Sequence, residues 1–373
     1  MTPQFVFAVL FLTLSSTCFG ADAPSLISPN ISANVLLLGR QSNFHKEDSD
    51  PTNIDQNRNG FNIQEAELQF YSDVDPYTKL NLVLSVHSEY EANGTDISEK
   101  WIVEPEEAFA ESNVIPAVTL KLGKIKAAMG KHNQLHTHAF PLVEAPLPNK
   151  FLLGDEGLND VGLSAAVFLP APWFSELSLQ ALRGEGENAE FKSPTPGDSV
   201  SLAHWKNLFD LTDSWTFEAG ASYAQGMNSY RKNTTLTGAD LTFKWRPVDG
   251  GRYHSLIWGS EYLARTQGQA SVSDEKGSGL ISFLQYQFAE RWIVIYRFDN
   301  LTVKNTFDAV ALPNDTWERH SLGFAYKPSE FSIFKLEYDQ RRGGTVNANG
   351  DTTEKAIFVQ ANFTIGAHPA HSY

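Results

Sequence analysis

Ile357, Val359, Ala361, Phe363 and Ile365 set an apolar residue at every second position, and the residues between them include Gln360, Asn362 and Thr364. The same two-beat alternation recurs along the chain in blocks of about ten residues, each closed by turn-forming residues. Strand side chains point alternately to opposite faces, so each block is a strand with one apolar and one polar face. The only sustained apolar run, Phe5 to Leu14, is too short to cross a bilayer as a helix. Lipid leaves no backbone group unpaired, so strands span a membrane only when their sheet closes on itself. The pattern therefore predicts an all-β fold: a transmembrane antiparallel β-barrel of the bacterial outer membrane.

Period-two stretches begin near Ile31, Phe61, Thr78, Trp101, Ala117, Val161, Trp173, Ser201, Trp215, Thr234, Arg252, Gly279, Arg291, Thr316, Glu330 and Thr353, which predicts sixteen strands. The connections between them alternate in length. Val74 to Pro76, Pro170 to Pro172, Leu211 to Ser214, Val248 to Gly251, Ala289-Glu290 and Lys327 to Ser329 are short. Gln41 to Asn59, Glu91 to Lys100, Lys126 to Asp160, Glu185 to Val200, Gln267 to Ser278, Val303 to Asp315 and Arg341 to Asp351 are long. Short periplasmic turns and long external loops give such an alternation, whereas a soluble sandwich has no reason to sort its connections. Tryptophans agree in part. Trp173, Trp215, Trp245 and Trp292 adjoin short turns, and Trp101 and Trp317 follow long loops, where amphipathic rings sit at headgroup level. Trp205 and Trp258 fall mid-strand and are not explained this way.

Residues 1–20 read as a signal peptide: an apolar core from Phe5 to Leu14, then small residues at Cys18 and Gly20, although Met1 to Gln4 carries no Lys or Arg. Residues 21–373 then form one barrel domain. Cys18 is the only cysteine, so the mature domain has no disulfide and rests on its closed hydrogen-bond ladder. The net charge of −15 argues against nucleic acid as a partner. It suits external loops that meet lipopolysaccharide through divalent cations, or loops that are simply well solvated; the belt itself meets outer-membrane lipid. A mean hydropathy of −0.29 is compatible with a barrel, whose polar interior dilutes its lipid face.

Alternation also assigns the inward face. Glu65, Glu67, Lys79, Lys121, Lys244, Glu261, Arg297, Asp299, Lys335 and Glu337 are the candidate pore-lining charges, with His87, Glu89, Glu218, Arg265 and Asp339 beside them. Such charges set selectivity in a water-filled pore, or rigidify its wall and impose a transverse field. The longest connection, Lys126 to Asp160, is the third long one, at the place where sixteen-stranded porins fold a loop inward to narrow the pore. It carries His132, His136 and His138. Imidazoles at this spacing suit zinc, copper or nickel; the same side chains serve equally as hydrogen-bonded anchors of the loop to the wall. Asp55-Gln56-Asn57-Arg58-Asn59-Gly60 begins like a calcium loop but lacks the closing acid, since Glu65 and Glu67 flank Ala66, and a strand follows. His368 and His371 lie in a tail that either gathers metal weakly or hangs loose.

Several segments resemble the porin superfamily that includes the phosphate-selective porins. Glu106-Glu107-Ala108-Phe109, Leu120-Lys121-Leu122-Gly123-Lys124 and Arg297-Phe298-Asp299 are similar to three of its strand motifs. A closer resemblance is to an uncharacterised branch sharing Gly130-Lys131-His132-Asn133-Gln134-Leu135-His136-Thr137-His138, then Leu153 to Leu158 and a tail like His368 to His371. Members of that branch are sometimes labelled zinc-regulated outer-membrane receptors. Energised receptors are roughly 22-stranded barrels with a plugged lumen, more than this chain can build. Carboxylates also interleave with the inward bases, so phosphate specificity does not follow. The resemblance implies a passive channel for small hydrophilic solutes or ions, not an enzyme, needing no cofactor and able to form a homotrimer. The alternative is a metal-responsive uptake or binding barrel that takes zinc on its loop histidines. A plugged structural barrel and an outer-membrane hydrolase are further classes, but no serine lies in a recognisable nucleophile context.

Overall fold

The computed structural model describes residues 29–44, 59–93, 96–185, 189–270, 274–304, 306–307, 310–311, 315–343 and 351–366. Residues 1–20 with Cys18, the stretch Asp55 to Arg58 and the tail histidines His368 and His371 lie outside them.

Sixteen strands close into one antiparallel barrel. They are β1 (Asn30–Ser42), β2 (Gly60–Asp75), β3 (Thr78–Asn93), β4 (Asp96–Ser112), β5 (Val118–Lys126), β6 (Asn159–Phe168), β7 (Phe174–Leu182), β8 (Val200–Thr212), β9 (Trp215–Met227), β10 (Asn233–Trp245), β11 (Ser255–Gln267), β12 (Glu275–Ala289), β13 (Trp292–Lys304), β16 (Asp315–Ser329), β17 (Ser332–Arg342) and β18 (Thr353–Gly366). A small hairpin of β14 (Thr306–Phe307) and β15 (Val310–Ala311) stands apart from the barrel sheet. Each barrel strand pairs with its neighbours in the chain, and β1 closes on β18 with Ser32 opposite Gly366 and Ser42 opposite Ala356. No described helix is long and apolar enough to cross a membrane.

The alternation falls as the pleat demands. On β18, Ile357, Val359, Phe363 and Ile365 face outward, while Glu354, Ala356, Phe358, Gln360 and Asn362 are buried inside. A row of rings crosses the outer face beside the short turns: Trp173–Phe209, Phe209–Phe217, Phe217–Phe243 and Phe243–Trp258, with centroids 4.4–5.9 Å apart. Trp258 belongs to that row because β11 starts at Ser255 rather than at Arg252. Trp205 faces outward and donates its indole N–H to Ser175 Oγ at 3.0 Å, which satisfies it within the protein. Trp317 departs from the expected headgroup position. It turns inward onto Phe151, 5.3 Å between centroids, and packs against the main interior apolar cluster.

Two other expectations change. The Glu91 to Lys100 stretch is not a long loop, because β3 runs to Asn93 and β4 starts at Asp96. The interior is also not uniformly polar. Leu182, Leu202, Ala224, Leu236, Leu263 and Leu301 point inward and form a core with Met129, Leu147, Leu152 and Leu153. These last four belong to the segment joining β5 to β6, which includes helix α1 (Leu147–Leu153). Contact with that segment gives the wall an apolar inner face, since removing such surface from water is favourable.

Candidate functional site

The β5–β6 segment carries the shared motif, and nearly every polar side chain in that motif meets a group on the wall or the segment's own backbone. Gly130 (φ +70°) brings the chain so close to Glu261 that a Cβ would lie 2.5 Å from Oε1. The next two amides, Lys131 N–H and His132 N–H, both donate to Glu261 Oε2, at 3.0 and 3.1 Å. Lys131 Nζ donates to Glu218 at 2.8 Å. Asn133 ties the two ends of the segment together: its Nδ2 donates to the carbonyls of Ala127 and Leu158, and its Oδ1 accepts from Leu158 N–H. Burial and the charges of Arg297, Lys126 and Arg319 hold His132 far below the usual histidine range, and its neutral ring packs on Phe140.

A β-bulge builds the seat of the next histidine. The pairing of β3 with β4 slips between Val83 and Leu84, which face Glu107 and Pro105, so Glu106 is the extra residue. A regular strand would send one of two consecutive glutamates into lipid, whereas a bulge turns both inward. His136 sits between them: Nδ1 is 2.8 Å from Glu106 and Nε2 is 3.0 Å from Glu107. Burial alone would lower its pKa, but the Glu106 carboxylate, seconded by Glu107, outweighs burial and raises it to about 10. The ring is therefore an imidazolium donating from both nitrogens. Lys126 Nζ lies 2.7 Å from the other Glu106 oxygen. His138 Nδ1 is 2.8 Å from Glu67, and the His136 and His138 rings stack 5.7 Å apart.

On the opposite wall the contacts run to backbone. Lys335 Nζ donates to the Phe140 carbonyl at 2.6 Å, and Val143 N–H donates to Glu337. Arg297 reaches the Glu144 carbonyl at 2.7 Å and Arg319 the Ala145 carbonyl. Leu147 N–H donates to Asp299 at 3.2 Å, and Asp299 is itself paired with Arg319 at 2.6 Å and Arg297 at 3.2 Å. The Glu144 carboxyl is half-buried, and Lys150 and Arg319 outweigh the desolvation cost and hold it below its ordinary pKa.

Of the ten wall charges marked in the sequence, Glu65, Glu67, Glu261, Arg297, Asp299, Lys335 and Glu337 are buried. All seven bond the segment, and Glu65, which meets Thr137, also accepts from Ser85 Oγ at 2.6 Å. Lys79, Lys121 and Lys244 are half-exposed; Lys121 lies 3.7 Å from Glu111 and over the Phe109 ring. The three histidines do not gather around one point. Among the described residues the donors that converge are Glu67, Glu106 and His136. Glu106, Glu107 and Arg319 were absent from the sequence-derived set, although a proline beside two consecutive glutamates inside a strand points to a bulge.

Cavities lie on both sides of the segment. One of 710 Å³ opens beside the short turns and is lined by Asn34, His138, Phe140, Ile295, Lys327 and Lys335. Toward the long connections, one of 340 Å³ is lined by Arg40, Gln64, Glu65, Thr137, Phe140 and Lys150. Another of 360 Å³ is lined by Glu89, Glu104, Glu106, Asp155, Glu156 and His87. Phe140 borders the first two.

No family model matches the chain. It is 28% identical over 350 residues to an uncharacterised protein of Aquifex aeolicus (strain VF5), covering 85% of this chain and 71% of that protein. Among solved structures it is similar to the outer-membrane channel DcaP of Acinetobacter baumannii, with TM-score 0.58 and 12% identity over 93% of this chain and 99% of that one. The anion-selective porin of Comamonas acidovorans gives TM-score 0.58 and 11% identity, covering 91% and 99%. OmpT of Vibrio cholerae in its trimer form gives 0.53 and 10%, covering 91% and 99%. At these identities the likeness is one of fold: a closed sixteen-strand barrel of porin type.

Proposed function

We propose that this protein is a passive outer-membrane channel for small hydrophilic solutes or ions, constricted by the segment between β5 and β6. The observation that carries the reading is the placement of Phe140, which borders a cavity on each side of the segment inside a closed barrel. Solutes pass between that segment and the β1–β3 wall, where Asn34, Gln64, Glu65 and Ser85 offer polar groups to a hydrated solute. The opposite wall is closed by the leucine core. Size is set at Phe140 and charge preference by the wall carboxylates and bases near it, with no covalent step. The outward apolar stripes meet outer-membrane lipid, and the acidic external loops meet lipopolysaccharide through divalent cations. A trimer belongs to the same reading, supported by the fold shared with a barrel solved in trimer form.

Swelling of liposomes that contain the refolded protein tests this with a graded series of neutral sugars. Monosaccharides should enter fast and trisaccharides slowly, and Phe140→Ala should move the cut-off upward. Liposomes that admit none of them, with wild type and variant alike, would sink the channel reading.

A further inference from the structure

We propose that Glu67, Glu106 and His136 form a binding site for one divalent transition-metal cation, entered from the end of the barrel that bears the long connections. One donor atom from each residue lies within 4.8 Å of the other two, so at most a small inward shift of the side chains lets one ion touch all three. Two carboxylate oxygens and one imidazole nitrogen suit zinc, cobalt or nickel, whereas calcium and magnesium take oxygen alone. The ligands come from three elements, β2, β4 and the inward segment, so an ion would fasten the segment to two strands at once.

The surroundings orient each ligand. Glu107 holds His136 Nε2 at 3.0 Å, which leaves Nδ1 facing Glu106 as the ligand atom. A carboxylate on the far nitrogen of a metal-bound imidazole fixes its tautomer and raises its basicity. Lys126 holds one Glu106 oxygen at 2.7 Å and leaves the other toward His136. His138 steadies Glu67 at 2.8 Å. The 360 Å³ cavity supplies the path, because Glu106 lines it together with Glu89, Glu104, Asp155 and Glu156. Such a concentration of negative charge raises the local level of cations. The ion takes the place of the proton on His136 Nδ1, and that proton leaves to solvent. His132 is not part of the site: its ring packs on Phe140. The effect on transport rests on the channel reading, since an ion here would fix Thr137 to Phe140 at the constriction; binding itself does not.

Cobalt is the probe, because its visible spectrum reports ligand type. Refolded full-length protein in detergent, titrated with cobalt(II), should take one ion per chain with d–d absorption, and zinc should displace it. Glu67→Gln and His136→Asn should each weaken binding at least tenfold, and His132→Ala should leave it unchanged. Heat-modifiable gel mobility identifies folded variants; if one carboxylate or imidazole variant does not fold, the other decides. Unchanged affinity in a folded Glu67→Gln or His136→Asn, a loss of equal size in His132→Ala, or no stoichiometric cobalt binding by the wild type would each overturn the site. Metal-free conductance of the same samples separates this outcome from failure of the channel reading. Steps without metal binding refute the site alone, and binding without steps refutes the channel alone.

Discussion

The segment inside the barrel is held from two sides, and the two holds differ in kind. Toward β11, β13, β16 and β17 the wall grips backbone: Glu261, Glu337 and Asp299 accept main-chain N–H groups, while Arg297, Arg319 and Lys335 donate to main-chain carbonyls. Toward β2 and β4 it grips chiefly side chains, with His136 on Glu106 and Glu107 and His138 on Glu67, beside one backbone contact from Gln64 Nε2 to the Val143 carbonyl at 3.4 Å. Backbone is common to all residues, so the first hold depends on the path of the chain and hardly on its side chains. The second depends on two imidazoles, one of which, His136, would exchange a proton for a metal ion at the proposed site. One wall therefore fixes where the segment lies, and the other can answer to what is dissolved around it.

The largest effect should come from the backbone hold. Arg319→Ala leaves the buried Asp299 with a weaker partner and frees the Ala145 carbonyl, and losing one partner of a buried ion pair costs about 3–5 kcal/mol. The variant should lose its heat-modifiable folded band at a clearly lower temperature than wild type; an unchanged transition would show that this wall carries no special load. Gly130→Ala comes next, since a left-handed φ and a Cβ 2.5 Å from Glu261 together cost about 1–3 kcal/mol. It should displace the start of the segment and make the channel noisier. On the side-chain wall, His138→Ala takes the 2.8 Å partner from buried Glu67 and so also costs stability, less than Arg319→Ala because no backbone carbonyl is freed with it. It should alter conductance because His138 lines the same cavity as Phe140; equal stability loss on both walls would erase the distinction drawn here. Smallest of all, Trp205→Phe removes one lipid-facing hydrogen bond to Ser175, about 0.6 kcal/mol, and should leave conductance as it was.

The barrel was legible because its rule is local. Period two and turn residues gave sixteen strands, with β2, β5, β8, β10 and β16 starting one residue from their expected positions. The rule weakens at Asp96 to Lys100, where Asp, Ser, Glu and Lys leave Ile97 as the single apolar residue, so no alternation marks the start of β4. The site was less legible. Alternation turned Glu261 and Asp299 inward, but their partners at Lys131 and Leu147 lie 130 and 152 residues away along the chain. Periodicity cannot say whether an inward charge meets water or another part of the chain. The inward leucines of β7 to β13 had the same ambiguity. The histidine spacing suggested three ligands on one loop, whereas the convergent donors come from the loop and two strands, joined by a bulge at Glu106.

Single-channel recording in planar bilayers, on metal-free wild type and Phe140→Ala, bears most directly on the constricted-channel account. Stable steps in the wild type and larger steps in the variant are the predicted result. Silence from both proteins, or steps of equal size, would contradict it.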